Sequence, residues 1–220
     1  MATYIKNVMV GEQFKLEQKI GQGSFGKVYL ARDVNNYNKP VAIKTEPLNQ
    51  QFSQLLREIQ SYRALQGIGF PRLIKQGISV ENEFCYLATD LLGLSLEDLF
   101  NLCDCKFSFK TTLMLFYQSL ERLELMHMQN YIHRDIKPDN MMMGMGASSN
   151  TMHLIDFGLT KSVIDQKTGK HVQFMAGKNL IGTCRYVSLN AHLGYELSRR
   201  DDLLTLGFVM INFVRGRLPW

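Results

Sequence analysis

The chain has 220 residues, 45% of them hydrophobic and 20% charged, which suits one large domain or two small lobes around a packed core and excludes a disordered chain. A net charge of +5 favours an anionic partner, whether nucleic acid, phospholipid head groups or an acidic or phosphorylated substrate, and a solvated basic surface accounts for it equally well. Cys85, Cys103, Cys105 and Cys184 are too few and scattered for a disulfide framework, and the Cys-Asp-Cys stretch lacks a zinc finger's second pair, so reduced thiols and an intracellular protein are expected.

The first residues, MATYIKNVMV, carry no signal-peptide pattern, and Ala2 stands where myristoylation needs glycine. FKLEQKIGQGSFGKVYLARD alternates at Phe14 and Leu16, breaks at three glycines, and alternates again at Val28 and Leu30, so a Gly-rich segment joins two strands. After the turn NNYNKP comes a third strand, VAIKTE. Phe52, Leu55, Leu56, Ile59 and Tyr62 then form the stripe of a helix. Two further strands are expected around 73–79 and 84–89. From Ser95 the pattern turns helical: SLED is a capping box, and Leu113, Phe116, Leu120, Leu123 and Met126 mark a longer helix. NMMMGMGASSNTMHLIDFG reads as two short strands about a turn, its methionines Met141, Met142, Met143 and Met145 filling core gaps rather than binding metal. A long loop covers about 157–187, and a second capping box, Ser198 to Asp201, opens a helix apolar on nearly every face. Its run at 203–214 is too short to span a bilayer.

Chemistry concentrates at three places. GQGSFGKV fits G-x-G-x-x-G-x-V, but it runs from strand into strand, which excludes a Rossmann loop, and no P-loop sequence occurs. Such a hairpin brings backbone N–H groups to phosphates, and Lys44, held by Glu58 on the following helix, supplies a fixed positive charge. In YIHRDIKPDN, a nucleophilic hydroxyl finds a proton acceptor in Asp135, a transferred phosphate a cation in Lys137, and a metal an oxygen ligand in Asn140. LIDFG adds Asp156 as the other metal ligand.

At these residues the chain resembles the eukaryotic protein kinases: Gly21, Gly23, Gly26, Lys44, Glu58, His133, Arg134, Asp135, Asn140, Asp156, Phe157, Gly158, Asp202 and Gly207 match their motifs in order and spacing. Ser188, Leu189 and Asn190 are similar to the S-I-N of the casein kinase 1 family, which LLGLSLEDLF and FPRLIKQG also resemble. The likeness runs from about residue 10 to the end. It implies an α+β, bilobal fold: an antiparallel-sheet N-lobe with one helix over 10–93, hinge included, and a mainly helical C-lobe over 94–220.

The resemblance further implies a Ser/Thr protein kinase that uses ATP and Mg2+. Ile20, Gly21, Gly23, Ser24, Gly26, Val28, Ala42, Lys44, Glu58, Thr89, Asp90 and Leu92 would serve ATP, with Asp90 to Gly93 as the hinge and Thr89 as a small gatekeeper. Asp135, Lys137 and Asn140 would be catalytic, and Asn140 and Asp156 would hold metal. Lys178 and Arg185 would form part of an anion site for protein substrates with acidic or phosphorylated residues upstream of the target. Basal activity without activation-loop phosphorylation is expected, in cytoplasm, nucleus or both. No nucleic-acid motif accompanies the charge.

Two departures stand out. The family's A-P-E glutamate, which pairs with a later arginine, is replaced at its position by Asn190, and casein kinase 1 domains continue through helices beyond Trp220. The C-lobe is therefore expected to be incomplete, with the helix at 203–214 uncovered on one side, and the competing reading is a kinase-like scaffold or binding module impaired in transfer.

Overall fold

A computed structural model describes residues 8–23, 26–48 and 53–220. The chain forms two compact units, Met1–Gln66 with Pro71–Leu92, and Gly67–Phe70 with Gly93–Trp220.

The first unit is an antiparallel sheet of β1 (Met9–Val10), β2 (Phe14–Gln22), β3 (Lys27–Asp33), β4 (Lys39–Pro47), β5 (Leu73–Ser79) and β6 (Phe84–Asp90), in the order β1-β2-β3-β4-β6-β5, with helix α1 (Gln54–Ala64) between β4 and β5 in the chain. Directly paired residues share a face. Phe14, Leu16, Tyr29, Ala31, Val41, Ile43, Tyr86 and Ala88 bury one face together with Val10. The rows Val28–Lys44–Leu87 and Leu30–Ala42–Thr89 occupy the other.

Helix α1 starts at Ser53, whose side chain accepts from the Leu56 N–H. Its stripe differs from the sequence expectation. Leu55, Ile59 and Tyr62 are buried, but Leu56 is 56% exposed and Glu58 is buried in its stead; Phe52 lies outside the described residues.

The second unit contains α2 (Leu96–Leu102), α3 (Phe109–Met128), β7 (Tyr131–Ile132), β8 (Met141–Met143), β9 (Met152–Leu154), β10 (Lys161–Ser162), α4 (Leu189–His192) and α5 (Arg199–Arg215). Strands β8 and β9 pair antiparallel, as do β7 and β10. Both expected capping boxes are present: Ser95 with Asp98 at α2, and Ser198 with Asp201 at α5. Phe100, Phe107 and Phe213 pack as a triad with centroids 4.9–5.3 Å apart, joining α2 and α5 through the loop before α3.

Here too the helix faces shift. In α3 the buried side is Thr112, Leu115, Ser119, Arg122, Leu123 and Met126, while Leu113 and Leu120 are exposed. Met141 is buried, whereas Met145 is half exposed. In α5, Leu206, Val209 and Phe213 are buried, and Leu203, Leu204 and Ile211 are exposed. No helix among the described residues is long and apolar enough to cross a membrane, and the four cysteines are free.

Candidate active site

In the first unit, Gly21 pairs with Val28 across β2 and β3, and the Gly23 N–H donates to the Gly26 carbonyl at 2.9 Å, narrowing the hairpin. A Cβ on Gly26 would lie 2.1 Å from the Thr45 carbonyl oxygen, so the loop's return depends on close backbone approach to β4. A Cβ on Gly23 would meet open space. Ser24 lies outside the described residues. Ile20, two residues before Gln22, is 48% exposed.

Strand parity places Val28, Ala42, Lys44 and Thr89 on the sheet face opposite the apolar cluster. Lys44 Nζ stands 2.7 Å from Glu58 Oε2, with the glutamate side chain 2% exposed and the lysine 25%. A buried carboxylate on α1 thus fixes the ammonium of β4. At the end of β6 the Asp90 carboxylate takes Lys39 Nζ at 3.3 Å and the Arg72 N–H at 3.3 Å, which fixes the chain just ahead of Leu92.

In the second unit, the stretch after β7 wraps around Asp135. Thr183 Oγ1 donates to Asp135 Oδ1 at 2.7 Å; Lys137 Nζ and Asn140 Nδ2 lie 3.2 Å from Oδ2. Asn140 Nδ2 also donates to the Asp135 carbonyl at 2.9 Å. Asp135 and Asn140 are buried, and Lys137 is partly exposed. One carboxylate therefore gathers a hydroxyl, an ammonium and an amide.

Asp202 of α5 holds the loop itself. Its Oδ2 accepts the His133 N–H and its Oδ1 the Arg134 N–H, each at 2.9 Å, while His127 Nε2 lies 2.9 Å from Oδ2. These bonds secure Arg134 in a left-handed conformation, φ 69°, that a non-glycine residue adopts only when its surroundings impose it. The Asp135 N–H donates to His133 Nδ1 at 3.2 Å, so Nδ1 is unprotonated and Nε2 carries the proton given to the Ile155 carbonyl at 3.0 Å. The His133 ring meets Phe157 edge-on at 5.7 Å, and Phe157 is wholly buried.

Among the described residues no cluster of three or more His, Cys, Asp or Glu forms an all-protein metal cage. Magnesium needs none, since it binds through one or two protein ligands, waters and substrate phosphates. Asn140 and Asp156 fit that chemistry. The Asn140 amide nitrogen is committed to Asp135, which leaves its oxygen for a cation, and the Ile155 N–H donates to the Asn140 carbonyl at 3.0 Å, bringing the segments that carry Asn140 and Asp156 together. Asp156 itself is left-handed, φ 63°.

A family model, the protein kinase domain, matches residues 14–220. The chain belongs to the protein kinase family. Membership makes it a phosphoryl transferase that takes ATP as substrate, with protein as acceptor and Mg2+ the usual metal, and its fold is the kinase fold, with the antiparallel sheet in the N-terminal part.

Not every expected residue of this kinase joins the group around Asp135. Lys178 Nζ lies 3.5 Å from Glu196 Oε2, and Arg185 donates to Asn212 Oδ1 at 3.0 Å with its guanidinium carbon 5.4 Å from the Tyr186 ring centre. Each has a protein partner of its own. Burial, reinforced by Asp139, pushes the Glu97 carboxyl up, and Arg185 opposes that rise, so the arginine also faces acidic neighbours.

Three contacts near these residues escaped the sequence analysis. Thr183 lies inside GTCRY without any pattern of its own; only its hydroxyl's reach to Asp135 reveals it. Asp201 Oδ1 accepts from Ser188 Oγ and Asn190 Nδ2, both at 2.8 Å, so the position of the absent A-P-E glutamate is anchored to α5 by different chemistry. Glu196 is the third.

Proposed function

We propose that this kinase is a serine/threonine kinase of the casein kinase 1 type, acting on sites preceded by acidic or phosphorylated residues. In this reading 10–93 is the nucleotide lobe and 94–220 the catalytic lobe. Ile20, Val28, Ala42, Thr89 and the Asp90–Leu92 backbone receive the adenine, Gly21, Gly23 and Gly26 approach the phosphates, and Lys44 fixes them. The observation that carries it is the donor set on Asp135.

An ionised carboxylate offers about four acceptor positions. Lys137 and Asn140 lie at Oδ2 and Thr183 takes one position on Oδ1, which supports leaving the other position on Oδ1 to the incoming hydroxyl. Asp135 orients that hydroxyl and accepts its proton as the bond to phosphorus forms. Lys137 neutralises charge on the transferred group. Asn140 and Asp156 would hold Mg2+, which supplies electrostatic stabilisation to the phosphates. Positioned base catalysis of this kind contributes about 100- to 10,000-fold.

The acceptor preference rests on the family resemblance of GTCRYVSLN and on the basic residues Lys178 and Arg185. Phosphoamino-acid analysis of casein labelled by the full chain tests the first part: phosphoserine and phosphothreonine are expected, and phosphotyrosine as the main product would overturn it. Comparing an acidic peptide with its neutral counterpart tests the second. Arg185→Ala is expected to raise KM for the acidic peptide selectively; an equal effect on both peptides would remove Arg185 from the anion site.

A further inference from the structure

The segment after Asp156 is fastened at both ends to one buried carboxylate. Lys161 Nζ lies 2.5 Å from Glu196 Oε1 and Lys178 Nζ 3.5 Å from Oε2, with the Glu196 side chain 8% exposed. Burial alone would raise this carboxyl; Lys161 and then Lys178 outweigh it and hold it below the ordinary glutamate range. Backbone bonds reinforce the junction: the Lys178 N–H donates to the Gly194 carbonyl at 2.9 Å, and the Glu196 N–H to the Met175 carbonyl at 2.8 Å.

Both lysines lead to the reacting carboxylate. Lys161 sits in β10 opposite Ile132 of β7, which is three residues before Asp135. Lys178 is five residues before Thr183, whose hydroxyl touches Asp135. Loops ordered by phosphorylation use the same physics, an added anion collecting cationic side chains through charge-assisted bonds. Here the anion belongs to the chain.

We propose that Glu196 is a built-in anion that holds this segment in the conformation in which Thr183 meets Asp135, so that transfer needs no phosphate on the segment. Glu196 is thus a positioning residue. The proposal rests on the kinase reading above, and its test separates the two.

The unphosphorylated 220-residue chain is compared with Glu196→Ala, Glu196→Gln and Glu196→Asp, and with a Lys161→Met/Lys178→Met double variant. Two things are read: transfer to casein, and amide exchange at Lys178 and Glu196. Glu196→Ala is expected to lower kcat roughly tenfold with little change in KM for ATP. Added acetate or inorganic phosphate restores part of the loss in Glu196→Ala and none in the lysine double variant. Glu196→Asp keeps most activity, whereas Glu196→Gln, which keeps shape without charge, behaves like the alanine variant. Exchange accelerates and slows again in parallel. Wild-type kcat and exchange in Glu196→Ala would overturn the proposal, as would a rise in activity in Glu196→Gln, which would make the carboxylate a competitor of substrate anions. Should the parent chain transfer nothing to casein, the kinase reading fails while the exchange experiment still decides the role of Glu196.

Discussion

Thr183 and Gly26 show how much rests on single residues. The Thr183 hydroxyl donates to Asp135 Oδ1 at 2.7 Å, the oxygen proposed to receive the acceptor hydroxyl. Thr183→Val keeps the shape and removes the donor, so kcat is expected to fall roughly tenfold, one hydrogen bond to a charged group being worth about 1.5–3 kcal/mol, with KM for ATP nearly unchanged. Thr183→Ser should recover most of it in the same steady-state assay; an inert serine variant would mean the methyl, not the hydroxyl, matters. Gly26 and Gly23 make a paired comparison. An added Cβ at Gly26 meets the Thr45 carbonyl oxygen, a backbone atom that cannot move aside alone, whereas the same addition at Gly23 meets nothing in the protein. Gly26→Ala is therefore expected to lower the melting temperature and weaken nucleotide binding, and Gly23→Ala to leave the melting temperature unchanged.

At the scale of elements, α5 is the organiser of the second unit, because adjacent aspartates at its start face different segments. Asp202 secures the backbone of His133 and Arg134, and Asp201 collects Ser188, Asn190 and the Ser198 N–H. Asp201→Ala strips the cap and orphans two polar side chains, for an expected loss of about 3 kcal/mol. In a domain of this size that is roughly 6–12 °C in Tm, readable by calorimetry; a shift below about 2 °C would show that the Ser188–Asn190 segment is held elsewhere. The longer elements were legible: alternation placed β2 and β3, and SLED and SRRD placed two helix starts, whereas the two-residue β1, β7 and β10 and the four-residue α4 are too short to carry a period, and β10 falls in the stretch expected to be a loop. Helix faces were less so. In α3, leucines stand on both sides, and the buried side is completed by Thr112, Ser119 and Arg122, the last bonded through Nε to the Met152 carbonyl at 3.3 Å, so hydrophobicity alone could not choose between them. The site divides the same way. Asp135, Lys137 and Asn140 are neighbours in sequence and could be read as a group, whereas Thr183, Asp201 and Glu196 act through partners far along the chain and leave no local pattern.

For the molecule as a whole, the proposed transfer depends on one buried aspartate surrounded by donors, in a chain that the protein kinase domain matches over residues 14–220. In the first unit, Glu58→Ala would take the buried carboxylate away from Lys44 and is expected to lower the melting temperature. Nucleotide binding should weaken with it, as a smaller rise in melting temperature on adding Mg-ATP would show. The most direct measurement is labelled-phosphate transfer from Mg-ATP to casein by the 220-residue chain and by Asp135→Asn, with ATP binding followed in parallel. The expected result is transfer by the parent chain, loss of at least about 100-fold in the variant, and ATP affinity retained in both. Wild-type turnover in Asp135→Asn would contradict the assignment of Asp135, and ATP binding without transfer by the parent chain would make the protein a kinase-like binding module.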